Sequence, residues 1–124
     1  MFGYSVECGG NLSGCAELSY SEIIRKILLE YLKYDSVDDV IKSSVSFDDE
    51  HGNYVLLQAG WRGDDYLQGA VIHIQLIDGK IWIQYDGTEE GVATELVDAG
   101  IPKSDIVLGF RHPSVRQYTG FALL

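Results

Sequence analysis

Residues 72–91 read IHIQLIDGKIWIQYDGTEEG. Two alternating runs, IHIQLI and KIWIQY, flank Asp78-Gly79. An Asp-Gly pair between alternating hydrophobic segments is the strongest short-range signal for a β-hairpin. A two-residue loop also sets the register. It pairs Ile77 with Lys80, then places Leu76 opposite Ile81, Ile74 opposite Ile83 and Ile72 opposite Tyr85. Directly opposed residues share a face, so this is the expected core face. The other face carries Gln75 with Trp82 and His73 with Gln84. It is polar with one large indole, and an antiparallel sheet tolerates such a wet face.

The carboxylates that follow decide between chemistry and architecture. Asp86-Gly87 is a second turn pair. Thr88 reads as a helix N-cap, with Glu89 and Glu90 in the first turn, where negative charge complements the helix dipole. Val92, Leu96 and Ala99 fall on one helical stripe, and Gly100 ends it as a left-handed C′ residue. A metal or acid–base site on Asp86, Glu89 and Glu90 would need a further ligand from elsewhere, whereas capping gives each residue a local role. Capping is the reading adopted.

Working outward, Ile23, Ile24, Ile27, Leu28, Tyr31 and Leu32 recur at helical spacing, predicting a helix over about Leu18–Tyr34. Ser19 or Ser21 supplies its cap, and Glu22–Lys26 is a favourable i,i+4 pair. The period then changes to two. VIKSSVSF, NYVLLQAGW and DYLQGAVIHIQLI predict three strands before KIWIQY, with DDEHGN as the first turn. After Pro102, IVLGF predicts a short fifth strand, and FALL closes the chain as a short strand or docked tail. The expected fold class is α+β: an N-terminal helix, an antiparallel four-stranded meander, a second helix and a short C-terminal strand. It occupies residues 18–124 as one domain, after a poorly ordered leader over 1–17.

Composition narrows the function classes. The 124 residues suffice for one core and not for two ordinary domains. Nine Lys and Arg against 19 Asp and Glu give a net charge of −10. Such a surface repels phosphate backbones and anionic membranes. Lys103, Arg111 and Arg116 against Asp105 leave residues 101–124 at +2, so the first hundred residues carry −12. No apolar run approaches the roughly 18 residues of a membrane helix, and Met1–Gly14 lacks the pattern of a secretory signal. A cytoplasmic location is expected. Cys8 and Cys15 make at best half a zinc site and read as reduced thiols.

Enzyme signatures are missing from the sequence: no phosphate-binding glycine loop, zinc-protease helix or nucleophile elbow occurs. His51, His73 and His112 fall in a turn, a strand and a loop. Asp48-Asp49-Glu50 reads as a charged turn rather than a metal cluster, and Arg62-Gly63-Asp64 as a turn. No catalytic residue, cofactor or metal site is assigned. The stronger candidates are Arg111, His112 and Arg116 beside Tyr118, clustered in one loop of an otherwise acidic chain; the plain alternative is that they neutralise carboxylates of their own chain. With His73, Gln75, Trp82 and Gln84 they form the candidate partner-binding set. The sheet face bearing Trp82 is expected to be covered by a partner, by a second copy as a homo-oligomer, or by the C-terminal segment folding over it.

LLQAGW, DGKIWIQ, DGTEEG, GIPKSDIVLGF and RQYT, together with the helical segment YSEIIRKILLEYLKY, closely resemble the XisI family of excision controlling factors. The similarity runs from about Leu18 to the end; the leader departs from the family pattern, in which the helix begins almost at the start. The resemblance implies an accessory role in site-specific excision of the fdxN DNA element during heterocyst differentiation in cyanobacteria. It places the recombination chemistry in a separate serine recombinase, reached indirectly on DNA, and points to an XisH-like protein of endonuclease-like fold as partner. It carries over no catalytic residue. Two other classes stand beside it: an antitoxin-like neutraliser of a nuclease-fold partner, and an enzyme with an unmarked site.

Overall fold

The computed structural model describes residues 19–35, 40–88 and 91–124. The expected leader with Cys8 and Cys15, and the expected first-turn pair Glu89 and Glu90, lie outside the described residues. Helix α1 spans Tyr20–Asp35. Ser19 and Glu22 cap it reciprocally: the Glu22 N–H donates to Ser19 Oγ (3.3 Å) and the Ser19 N–H donates to Glu22 Oε1 (3.2 Å). Two of the helix's orphan donors are satisfied this way. The Ser19 N–H, and then the Ser19 hydroxyl that also donates to Oε1 (3.0 Å), hold the Glu22 carboxyl below the usual carboxylate range. Of the two serines, Ser19 is therefore the cap.

Strands β1 (Ile41–Asp48), β2 (Asn53–Arg62), β3 (Asp65–Ile77) and β4 (Lys80–Asp86) form the expected antiparallel meander, and β5 (Ile106–Leu108) joins β4. β5 runs parallel to β4, because helix α2 (Val92–Asp98) intervenes and returns the chain in the same direction. Both helices lie on one face of the sheet. Ile23, Ile24, Ile27 and Leu28 of α1 and Val92 and Leu96 of α2 pack with Leu56, Ile72, Ile74, Ile81, Ile83 and Ile106 in one buried cluster. Each buried aliphatic side chain contributes about 1.5–3 kcal/mol, so this layer outweighs any single polar contact.

The Asp78-Gly79 register holds from Ile77↔Lys80 to Ile74↔Ile83 and then departs from the expected pairing. His73 faces Tyr85, not Gln84, and Ile72 faces Asp86, not Tyr85. Gln84 is the extra residue of a β-bulge. Because side chains alternate with period two, one inserted residue exchanges the faces of everything beyond it. Tyr85 is thereby turned outward, at 50% exposure. Asp86 instead meets the helix. Its Oδ2 accepts the Val92 N–H (2.7 Å) and its Oδ1 accepts the Thr88 N–H and hydroxyl (2.9 and 2.6 Å).

Thr88 is consequently not the N-cap. The cap position is Gly91, whose N–H donates to Thr88 Oγ1 (3.1 Å), and the helix starts later than expected. Its end is as expected. Gly100, at φ 101°, donates to Val97 O (2.9 Å) and Ile101 donates to Leu96 O (3.2 Å). This pair of bonds closes a helix with a glycine in the left-handed region.

Beyond Pro102, a 3₁₀ turn over Lys103–Asp105 leads into β5. Asp105 accepts the hydroxyl of Tyr20, tying the turn to α1. The expected strand IVLGF is cut to three residues, as Gly109 and Phe110 turn away. FALL is a docked tail: Ala122 donates to Ile106 O (2.8 Å) and bridges Val107.

Removing the Asp86 carboxylate in Asp86→Ala is expected to lower stability by about 0.5–2 kcal/mol, the range for a lost helix cap, read by urea unfolding. The hydrogen bond to Asp105, with burial and the negative charge beside it, pushes the Tyr20 hydroxyl from 10.0 up to about 12. A raised phenol stabilises the fold fully below pH 10, and that contribution is lost as pH rises through 12. The stability difference between wild type and Tyr20→Phe is therefore expected to shrink across that window in urea titrations at stepped pH.

Candidate functional site

The acidic turn after β1 is spent on its own neighbours. The Asp48 carboxylate accepts the His51 N–H (3.2 Å) and lies 2.8 Å from His51 Nδ1, contacts that hold it below the usual carboxylate range. Asp49 Oδ1 accepts the Tyr54 hydroxyl (2.7 Å) and pairs with Arg25. Burial first, then that bond to Asp49, raises the Tyr54 hydroxyl above its ordinary value. Among the described residues no group of three His, Cys, Asp or Glu side chains is placed to hold a metal ion.

The sheet face opposite the helices carries an amide ladder. Asn53 Oδ1 accepts Gln75 Nε2 (2.8 Å), Gln75 Oε1 accepts Gln84 Nε2 (2.9 Å), and His73 Nε2 lies 3.3 Å from Asn53 Oδ1. Three neighbouring strands are thus linked by side chains as well as by backbone. Asn53, which the sequence places at the end of the turn cluster and the start of the second strand, anchors this ladder because it sits directly opposite Gln75.

Trp82 lies beside the ladder and is covered from the C-terminal segment. The Arg116 guanidinium stacks 5.3 Å from the centre of its ring. Arg116 is 7% exposed. Its nitrogens donate to three carbonyls, those of Arg111 (3.1 Å), Leu123 (3.3 Å) and Gly109 (3.4 Å). A buried cation is tolerated only when its donors are satisfied; here carbonyl oxygens and an aromatic face do this. Arg116 therefore folds its own loop and is not a surface charge. Gly109 completes the junction. A Cβ there would stand 2.6 Å from Gln84 Oε1, so a larger residue would have to displace the end of that side chain from its place in the ladder.

The two groups of candidate residues thus meet where Arg116 stacks on Trp82, the others taking different roles. Trp82 and Arg116 form the floor of this corner. His73, Gln75 and Gln84 form one partly buried side. His112 caps the short helix α3 (Pro113–Arg116), its Nδ1 accepting the Ser114 N–H (3.1 Å). Arg111 stacks on Phe110, 5.2 Å from the ring centre. Tyr118 is 80% exposed. Tyr85 joins this face only because of the bulge, which the alternation of KIWIQY conceals.

Residues 16–123 match the XisI protein family. The chain belongs to the XisI family. A solved XisI-like protein from Anabaena variabilis ATCC 29413 is 37% identical, with a TM-score of 0.79 over 85% of this chain and 96% of that one. The fdxN element excision controlling factor XisI from the same organism is 36% identical, with a TM-score of 0.73 over the same shares. No curated protein matches. The XisI-like α+β architecture is common to these structures and this one. No helix among the described residues is long and apolar enough to cross a membrane.

Arg116→Ala is expected to cost about 2–3 kcal/mol, the scale of losing charge-assisted hydrogen bonds inside a structure. Arg116→Lys should recover little, since one ammonium cannot reproduce a planar fork that both spans carbonyls and stacks on an indole. Urea unfolding and limited proteolysis after Leu108 measure both effects.

Proposed function

We propose that this XisI-family chain is a non-enzymatic accessory of site-specific DNA-element excision that acts through a protein partner, an XisH-like protein, and reaches a recombinase complex on DNA only indirectly. The burial of Arg116 carries this reading. Residues 101–124 carry a net +2 in a chain of −10, and their central cation is enclosed. Lys103 and Arg111 remain, each lying against a ring, Phe121 and Phe110. Specific DNA binding typically engages about 6–10 phosphates through clustered cations, and two do not supply that.

A protein partner suits the same surface. The corner of Arg111, His112 and Tyr118 beside His73, Gln75 and Gln84, floored by Trp82 and Arg116, joins an arginine and an exposed tyrosine to hydrogen-bonding amides. Interface centres are enriched in such residues. The acidic remainder of the chain complements a cationic nuclease-like groove. The naming of a solved relative as an fdxN element excision controlling factor supports the same role. Net charge also suits an antitoxin-like neutraliser; nuclease activity of the isolated partner, silenced on adding this chain, would favour that reading over the excision accessory.

Purified protein alone is expected to give no gel shift with excision-site duplex in the nanomolar range, while an XisH-like protein co-purifies with it. Tyr118→Ala should stay folded and weaken that association by about 2 kcal/mol if Tyr118 is a hot spot. A sequence-specific, salt-resistant shift with this chain alone would refute the proposal.

A further inference from the structure

The amide ladder and the C-terminal corner occupy only part of the sheet face opposite the helices. Toward β1, the outward positions of β2 and β3 become mostly apolar: Val55, Leu57, Ala59, Trp61, Tyr66 and Ala70 form a stripe interrupted by one polar residue, Gln68, opposite Ala59. The strand pairing sets Leu57 opposite Ala70 and Trp61 opposite Tyr66. Trp61 and Tyr66 touch, ring centres 5.1 Å apart, yet are 56% and 54% exposed. The buried residues of β2, Tyr54 and Leu56, lie on the other face with the helices. Among the described residues, no element of the chain packs over this stripe.

Charge identifies what covers it. In a chain with 19 carboxylate side chains, Asp48 is the one carboxylate among the outward positions of the described β1–β4 strands. It sits at the rim against His51. A basic partner is attracted to the acidic surfaces elsewhere and gains little on a neutral apolar stripe. A second copy is repelled from the acidic surfaces elsewhere and meets here only Asp48 at the rim and Lys42 opposite Ala59, charges of opposite sign. Depletion of charge with enrichment of aromatic residues is the composition of an interface centre. Three strands at the usual spacing and rise give the β1–β3 part of this face about 15 Å by 30 Å, on the order of 500 Å² per copy. Two copies then bury about 1,000 Å², the threshold for a specific interface.

We infer that this face is the interface of a homodimer in which the β2–β3 stripes of two copies pack face to face about a two-fold axis. Such an isologous contact is self-complementary. Sheets stack about 10 Å apart, which places Trp61 and Tyr66 within reach of the partner's stripe. The C-terminal corner lies beyond the stripe, so the dimer leaves it free.

Sedimentation equilibrium of the full chain over the micromolar range tests this. The expected mass is twice the 13.8 kDa of the monomer. Association should strengthen with added salt, as screening reduces repulsion between the acidic rims. Leu57→Glu is expected to return the monomer mass with an unchanged circular dichroism spectrum; should it fail to fold, Ala59→Glu at the neighbouring outward position serves the same purpose. The emission of Trp61, compared with a Trp61→Phe control, should shift to the blue with concentration in wild type and not in the dissociated variant. A wild type that stays at 13.8 kDa, or a folded glutamate variant that still dimerises, overturns the inference.

Discussion

The bulge at Gln84 is the constraint on which the second half of the molecule depends. Up to Ile83 the Asp-Gly hairpin dictates every pairing. One extra residue then exchanges the faces of the strand, and Asp86 arrives on the helix side with both oxygens engaged. The start of α2 follows from where that carboxylate points, and α2 in turn carries the chain back to β5. Had the alternation continued, Tyr85 would have entered the core face and Asp86 the outer one, leaving the first N–H groups of α2 without this acceptor. The extra residue is also used: Gln84 extends the amide ladder from β3 to β4.

Most of the fold was legible because hydrophobic period is a local property that survives in sequence. Ile23 to Leu32 announce a helix, Ile41 to Phe47 a strand, and Asp78-Gly79 a hairpin with its register. The failures share one cause. An inserted residue inside KIWIQYD changes no composition and breaks no period until its partner strand is placed beside it. Thr88 was a reasonable cap by the rule that looks to adjacent residues, yet the acceptor for Val92 lies six residues back, on a strand whose direction the bulge had altered. The shortening of β5 likewise shows only in the fold, where the chain turns at Gly109 and Phe110 after Gly109 donates to Ile83 O.

The candidate corner was legible in membership more than in role. Trp82, a lone indole on a polar face, calls for a cover, and the C-terminal segment provides it. What sequence did not reveal is that Arg116 supplies it. Charged residues are ordinarily exposed, and an arginine held by three carbonyls leaves no mark in sequence. The charge count of residues 101–124 therefore overstates the positive surface. The apolar stripe of β2 was equally hard to see, since NYVLLQAGW reads as an ordinary strand until its two faces are told apart by what packs on them.

The parallel pairing of β5 with β4 has a consequence for how the chain acquires its shape. The meander is made of neighbouring hairpins and closes with short loops, whereas β5 and the tail must await the whole α2 crossover. Contacts between distant segments form more slowly than local ones. A growing chain adds roughly 5–20 residues per second, so the hairpins can exist for seconds before Arg116 emerges. Throughout that interval the Trp82 ring stands bare to water and to chaperones. The tail thus acts as a maturation step, converting a sheet with an open aromatic surface into the finished domain.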